Sequence, residues 1–134
     1  MAVKDLVDAL QRATEIRLTV IGRKSRRPIL FSVWFALEDE TLYLLPVNGS
    51  STQWYRNVLK HPAIEVRVGR RRVKVRAKPI TARGGVRKVV EMFRKKYGSR
   101  DVKRYYTTPD VVVAVPLSRA RALVPHARTR PTAA

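Results

Sequence analysis

The sequence has no cysteine, only two histidines and few acidic residues, and each shortage excludes a class of chemistry. Without cysteine the chain has no disulfide, no thiolate metal site and no cysteine nucleophile. The histidines, His61 and His126, lie far apart in sequence, and neither has an obvious acidic partner for a catalytic triad. We therefore expect neither a bound metal nor hydrolase activity.

Long apolar runs are also missing. No stretch approaches the roughly 20 apolar residues that a membrane-spanning helix requires, and the chain does not open on a signal peptide, so we expect a cytoplasmic protein. A length of 134 residues with 45% hydrophobic residues suits one folded domain. We assign this domain to residues 1–118 and expect residues 119–134, which are basic and contain proline, to form a loosely held tail.

Positive charge is what the chain has in excess. Lys and Arg number 29 against 10 Asp and Glu, which gives a formal net charge of +19. Such a field attracts phosphates of any kind and does not identify the partner. One predicted hairpin has a basic face that could bind a nucleic-acid backbone without sequence preference, although no aromatic residue is interleaved for base stacking. A basic nucleic-acid-binding module is therefore an alternative function, and its face consists of Arg70, Arg71, Arg72, Lys74, Arg76 and Lys78.

Apolar periodicity predicts a mainly β chain with flanking helices. The predicted strands are residues 16–21, 29–37, 41–47, 64–68, 72–78 and 110–117. Helices are predicted for residues 1–13, for 52–60 and after Gly84-Gly85, with a further helical turn near 101–106. The strand 29–37 is apolar on both faces, so we expect it to be buried on both sides. Short turns between strands favour an antiparallel sheet or small barrel over a doubly wound parallel sheet.

Two loops could bind phosphate together. The stretch IGRKSRRP (residues 21–28) places four cations around one serine, and Asn48-Gly49-Ser50-Ser51 precedes a helix whose first N–H groups have no partners within the helix. If the fold brings Arg23 and Lys24 beside this turn, the two loops form a phosphate clamp. The alternatives are plain helix capping by the two serines, a solvated turn for the cations, and a core position for Trp54.

The joint pattern GRKS…P, LYLLP…GS…WYRN and KKYGSRDVKRYY resembles the deazaflavin-dependent nitroreductase family of the flavin-binding split β-barrels. The resemblance covers about Glu15 to Leu117. It implies a six-stranded antiparallel split β-barrel that binds a reduced deazaflavin coenzyme of the F-420 type, with FMN as the alternative. Split barrels of this kind often pair as homodimers, so a homodimer is also implied.

The resemblance further implies an oxidoreductase in which hydride passes to a flat, electron-poor acceptor such as a quinone, enone or nitroaromatic. A tyrosine hydroxyl would hydrogen-bond the acceptor oxygen. A non-catalytic flavin or deazaflavin carrier remains an alternative. The implied catalytic residues are Tyr105 and Tyr106, with Tyr97 a weaker candidate, and the implied cofactor-binding residues are Arg23, Lys24, Ser25, Arg27, Pro28, Val47, Asn48, Gly49, Ser50 and Trp54.

Two positions depart from the family pattern. Relatives usually have glycine after the serine of GRKS, where this chain has Arg26, so we expect a different backbone path in the loop. Some deazaflavin binders have lysine before the glycine of the second loop, where this chain has Asn48. The missing cation argues against a deazaflavin with a polyglutamylated tail and leaves FMN, or no cofactor, as alternatives, whereas the high net charge would attract a long acidic tail.

Overall fold

The computed structural model describes residues 3–118 and 120–122, which form two antiparallel sheets with four α-helices. The predicted tail lies outside the described residues, except for 120–122. None of the described helices is long and apolar enough to cross a membrane. In chain order the elements are α1 (Val3–Gln11), β1 (Ile16–Ile21), β2 (Pro28–Val33), β3 (Ala36–Glu38), β4 (Thr41–Leu44), a 3-10 turn (Gly49–Ser51), α2 (Gln53–Lys60), β5 (Ala63–Val68), β6 (Arg71–Arg76), β7 (Lys78–Ile80), α3 (Arg83–Tyr97), α4 (Ser99–Tyr105), β8 (Val112–Pro116) and β9 (Arg121–Ala122).

The strands divide between a five-stranded sheet in the order β2-β1-β5-β6-β9 and a four-stranded sheet in the order β3-β4-β8-β7. Two of the predicted strands are each split between the sheets, the first at Trp34-Phe35 and the second at Ala77. The prediction of a mainly β, antiparallel chain with flanking helices is therefore confirmed. The predicted six-stranded split barrel is not confirmed, because the described strands form two sheets of five and four strands. The apolar pattern continues through both bends because Phe35 and Ala77 are buried in the core, so the sequence does not mark where a strand changes sheet.

Two clusters of buried side chains fill the interior. The larger one joins both sheets to α1 and α2, and helical spacing in α1 places Leu6 and Leu10 on its buried face, as predicted. The smaller one lies under α3 and α4 and includes Phe93 and Tyr106. These clusters hold the two sheets and the helices that surround the site.

Strand β2 is more exposed than its sequence suggested. Ile29 is 43% exposed and Leu30 46% exposed, so the prediction that this segment is buried on both sides is wrong for β2. It lies at the edge of its sheet, where β1 is its one hydrogen-bonded neighbour among the described strands. An edge position leaves apolar side chains uncovered even when their pattern matches that of a central strand.

Candidate active site

An open groove of about 480 Å³ lies where β2, the chain after β4, the start of α2 and the end of α4 meet. It brings together four predicted site residues: Val47, Trp54, Tyr105 and Tyr106. Most of the lining is aromatic or aliphatic, and such a surface suits a flat ring. The remaining lining residues are Glu15, Phe31, Ser32, Val33, Trp34, Leu45 and Thr52.

Aromatic rings form the walls of this groove. The rings of Phe31 and Trp54 lie 6.0 Å apart between centroids, and Trp34 meets Tyr105 edge to face at 5.7 Å. The sequence analysis did not select Trp34. Its place in the groove depends on the bend between β2 and β3, which no local sequence signal marks.

Tyr97 contacts both residues of the bend between β2 and β3 and lies outside the groove lining. Its ring stacks on Trp34 with centroids 4.1 Å apart and planes 7° from parallel. Its hydroxyl accepts a hydrogen bond from the Phe35 N–H at 3.1 Å and donates to the Thr14 carbonyl at 2.6 Å. Burial raises the pKa of Tyr97, so the hydroxyl keeps its proton. Tyr97 therefore supports the groove wall and is not among the groove-lining residues.

The two predicted catalytic tyrosines occupy different environments. Tyr105 is 46% exposed, whereas Tyr106 is 7% exposed and packs edge to face against Phe93 at 5.5 Å. Burial raises the pKa of Tyr106 far above its ordinary value. Both tyrosines line the groove, and Tyr105 is the more accessible of the two.

The cationic loop is a tight turn closed by its own backbone. The Gly22 N–H donates to the Arg27 carbonyl at 2.9 Å, and the Arg26 N–H donates to the Gly22 carbonyl at 2.9 Å. The Arg27 N–H also donates to Ser25 Oγ at 3.2 Å. Arg26 has φ 62°, in the left-handed region that glycine adopts most readily. The chain thus accommodates arginine at the glycine position of the motif, at a strain of about 1 kcal/mol.

Arg23 fastens this loop to α2. Its backbone N–H and its Nη1 both donate to Asn57 Oδ1, at 3.1 and 2.8 Å, and its Nη2 donates to Gln53 Oε1 at 2.8 Å. The loop is therefore adjacent to the helix that follows the second loop, as a clamp requires. The Arg23 guanidinium, however, is already bonded within the protein, while Lys24, Ser25, Arg27 and Pro28 are exposed.

The second loop binds a carboxylate of the chain itself. Asp110 accepts from the Ser50 N–H and from the Ser50 hydroxyl, each at 2.8 Å. Ser50 lies in the 3-10 turn and does not cap α2, since Thr52 precedes that helix and its Oγ1 accepts from the Asn48 N–H at 2.8 Å. Gly49 has φ 57°, and a Cβ there would collide with the Thr108 carbonyl and Asp110. Asp110 was missed because it lies sixty residues from Ser50.

A protein-family model identifies the family of this chain. The model described as F420H(2)-dependent quinone reductase matches residues 2–117. The chain belongs to this family. No curated protein sequence matches the chain.

Solved structures similar to this quinone reductase family member support the fold. A conserved hypothetical protein from Mycobacterium tuberculosis is 18% identical with a TM-score of 0.71, covering 100% of this chain and 91% of its own. A reductase described as F420-H2 dependent is 16% identical with a TM-score of 0.60, covering 76% and 93%. A FAD-binding protein from Mesorhizobium loti is 17% identical with a TM-score of 0.65, covering 91% and 92%. At these identities the likeness shows the fold alone.

The site residues fit a deazaflavin coenzyme in kind. Aromatic walls suit a flat ring, and the exposed Lys24 and Arg27 make no ion pair within the described residues, which leaves them for a phosphate. Over residues 3–118 and 120–122, no three His, Asp or Glu side chains cluster as metal ligands would.

Proposed function

We propose that this chain is a deazaflavin-dependent reductase that acts on a flat, electron-poor acceptor such as a quinone, enone or nitroaromatic. The observation that supports it best is the aromatic groove at the motifs of a family whose model matches residues 2–117. The reduced deazaflavin supplies the hydride when bound. The chain itself binds, orients and excludes water.

Tyr105 is the proposed catalytic residue. Its side chain lines the groove and is accessible, so its hydroxyl can donate a hydrogen bond to the acceptor oxygen as negative charge develops there. Trp34 meets the Tyr105 ring edge to face and restricts its orientation. Tyr106, the other predicted catalytic residue, supports the groove from its buried side in this proposal.

The remaining predicted residues contact either the cofactor ring or its phosphate in this proposal. Trp54 and Val47 shield the ring from water, because both line the groove. Lys24, Ser25 and Arg27 hold the phosphate, with Pro28 directing the chain into β2 and Arg23 positioning the loop through its bonds to α2. Asn48, Gly49 and Ser50 form the facing turn in this proposal.

Binding tests the choice of cofactor. We expect the deazaflavin coenzyme to bind more tightly than FMN in a fluorescence titration, because the net charge of +19 attracts its acidic tail. Trp54→Leu should weaken binding of either ring, whereas Trp54 has no role in binding nucleic acid. Tight binding of FMN with no binding of the deazaflavin would contradict the assignment.

Turnover tests catalysis separately. With a soluble benzoquinone as acceptor, Tyr105→Phe should lower kcat about 100-fold while the coenzyme Kd stays unchanged. Tyr43→Phe, a half-buried tyrosine outside the groove, is the matched control. Coenzyme binding without turnover of any quinone, enone or nitroaromatic would contradict the reductase and favour the non-catalytic carrier. A homodimer remains a prediction, and sedimentation velocity would test it.

A further inference from the structure

The outer face of the five-stranded sheet bears five cations in register across three strands. Arg17 of β1 is directly opposite Arg67 of β5, and Arg67 is directly opposite Arg72 of β6. Inward residues of these strands, such as Leu18 and Val66, are buried, so the alternate residues point away from the core. We call the outward set the arginine face: Arg17, Arg67, Arg72, Lys74 and Arg76.

Repulsion between these like charges lowers the stability of the folded chain when no partner is bound. Neighbouring strands lie about 4.8 Å apart, and like charges placed directly opposite one another are destabilising. The one acidic residue on β1, β5 and β6 is Glu65, and both of its oxygens accept from Arg72, each at 3.0 Å. The other four cations of the face make no ion pair with any described residue.

A second copy of the chain does not suit this face, because a two-fold interface would place arginines against arginines. An anionic partner would offset the repulsion. Successive outward residues on one strand are about 6.7 Å apart, so the face presents a lattice of cations that can meet several phosphates at once. Lys74 and Arg76 border an open pocket of about 500 Å³ on this face. Arginine adds bidentate hydrogen bonding to phosphate oxygens.

We propose that the arginine face binds the phosphate backbone of double-stranded nucleic acid without sequence preference. A duplex presents one negative charge per about 1.7 Å of its axis. The outward positions of β1, β5 and β6 include no aromatic residue, which disfavours a single strand read by base stacking. The apolar residues on these outward positions are Ile21 and Ala63, and the neighbouring strand β2 adds the exposed Leu30. This apolar surface is too small to insert into a bilayer beside the cations.

The structure changes the composition of the basic surface predicted from sequence. Arg17 and Arg67 join it from β1 and β5. Three predicted residues leave it: Arg70 lies in the turn before β6, Arg71 is opposite the buried Val68, and Lys78 begins β7 in the other sheet. No residue of the arginine face lines the aromatic groove. The nucleic-acid proposal therefore does not depend on the proposed reductase activity, and its failure would leave that activity unaffected.

The test compares two triple variants of equal charge. Arg17→Gln/Arg67→Gln/Lys74→Gln removes cations from the face, and Lys95→Gln/Arg100→Gln/Lys103→Gln removes three exposed cations from α3 and α4; each lowers the net charge from +19 by three, to +16. Binding to a mixed-sequence DNA duplex is measured by fluorescence anisotropy over a range of salt concentrations. We expect the sheet variant to bind on the order of 100-fold more weakly in about 0.1 M salt, with a salt slope smaller by about 3. The α3–α4 variant should stay within a few-fold of the parent.

Three results would overturn the proposal. One is no measurable binding of the parent to the duplex. Another is an equal loss in both variants, which would make net charge alone responsible. The third is tighter binding to vesicles of anionic phospholipid, or to single strands, than to the duplex. Thermal unfolding of the sheet variant provides the folding control. Its midpoint should not fall, because removing the like charges of Arg17 and Arg67 offsets the loss of Lys74 opposite Glu65.

Discussion

The arginine beside the groove and those on the outer face of the five-stranded sheet have opposite surroundings. Beside the groove, Arg23 has its backbone N–H and its guanidinium bonded to Asn57 and Gln53. On the outer face, Arg17 and Arg67 stand opposite each other without an acid in contact. Substitutions in the two regions should therefore change stability with opposite signs. The groups that surround a cation in the fold determine its effect on stability. The number of cations in the sequence does not predict that effect.

The largest expected effect is at Asn57, which is 6% exposed. Asn57→Leu removes the acceptor of two hydrogen bonds from Arg23, one of them charged, and should lower the free energy of unfolding by about 3 kcal/mol. Urea denaturation measures the change. Arg56→Leu, at the exposed neighbouring position, should stay within about 0.5 kcal/mol. A similar small effect at Asn57 would remove the contrast between the two regions.

Tyr97→Phe should have the next largest effect. It retains the ring that stacks on Trp34 but leaves the Phe35 N–H and the Thr14 carbonyl without their partner, at a cost of about 1–2 kcal/mol. The near-UV circular dichroism of the tryptophans should be preserved. Tyr43→Phe is the control, and equal losses in the two variants would show that the Tyr97 hydroxyl has no special role at the bend.

Lys96 is intermediate between the bonded Arg23 and the unpaired cations of the outer face, since its partners are the carbonyl and the ring of Phe35. Its Nζ donates to the Phe35 carbonyl at 3.1 Å and lies 3.3 Å from the Phe35 ring centroid, and burial lowers its pKa from 10.5 to about 8. Between these two values the unfolded chain binds more protons, so the stability of the parent should rise with pH.

Lys96→Met should consequently be more stable than the parent at pH 7, and the difference should shrink between about pH 8 and pH 10.5. Thermal midpoints measured across that range give the comparison. Lys95→Met, one residue earlier on α3, removes the same charge and is the matched control. A Lys96 variant whose advantage grew above pH 8 would contradict the lowered pKa.

The smallest effect is expected on the arginine face. Arg67→Thr removes the central cation of the row and introduces a residue with high strand propensity, so the free energy of unfolding should increase by a few tenths of a kcal/mol. Calorimetry at low salt would detect it, and added salt should reduce the gain. Arg70→Thr, in the turn, should be neutral; a destabilised Arg67 variant would show that the row is not under repulsion.

Sequence periodicity located most of the elements, and long-range contacts account for what it missed. Strand β1 begins and ends where its alternation predicted, because that pattern reflects burial of one face. The bends at Trp34-Phe35 and Ala77 have no such local sign. The bonds of Arg23 depend on Asn57, thirty-four residues away, and the environment of Ser50 depends on Asp110. Motif spacing identified the family, yet it could not show that some of the motif's donors are already occupied.

Asp110 gives the glycine-serine turn a competitor within the same chain. An incoming anion gains the Ser50 donors only by displacing a carboxylate that already has two hydrogen bonds there. Affinity at the turn is then a difference between two binding energies, which selects against weakly held anions. In the proposed phosphate clamp, a ligand at this turn would have to exchange with Asp110, so its identity would matter more than its charge alone.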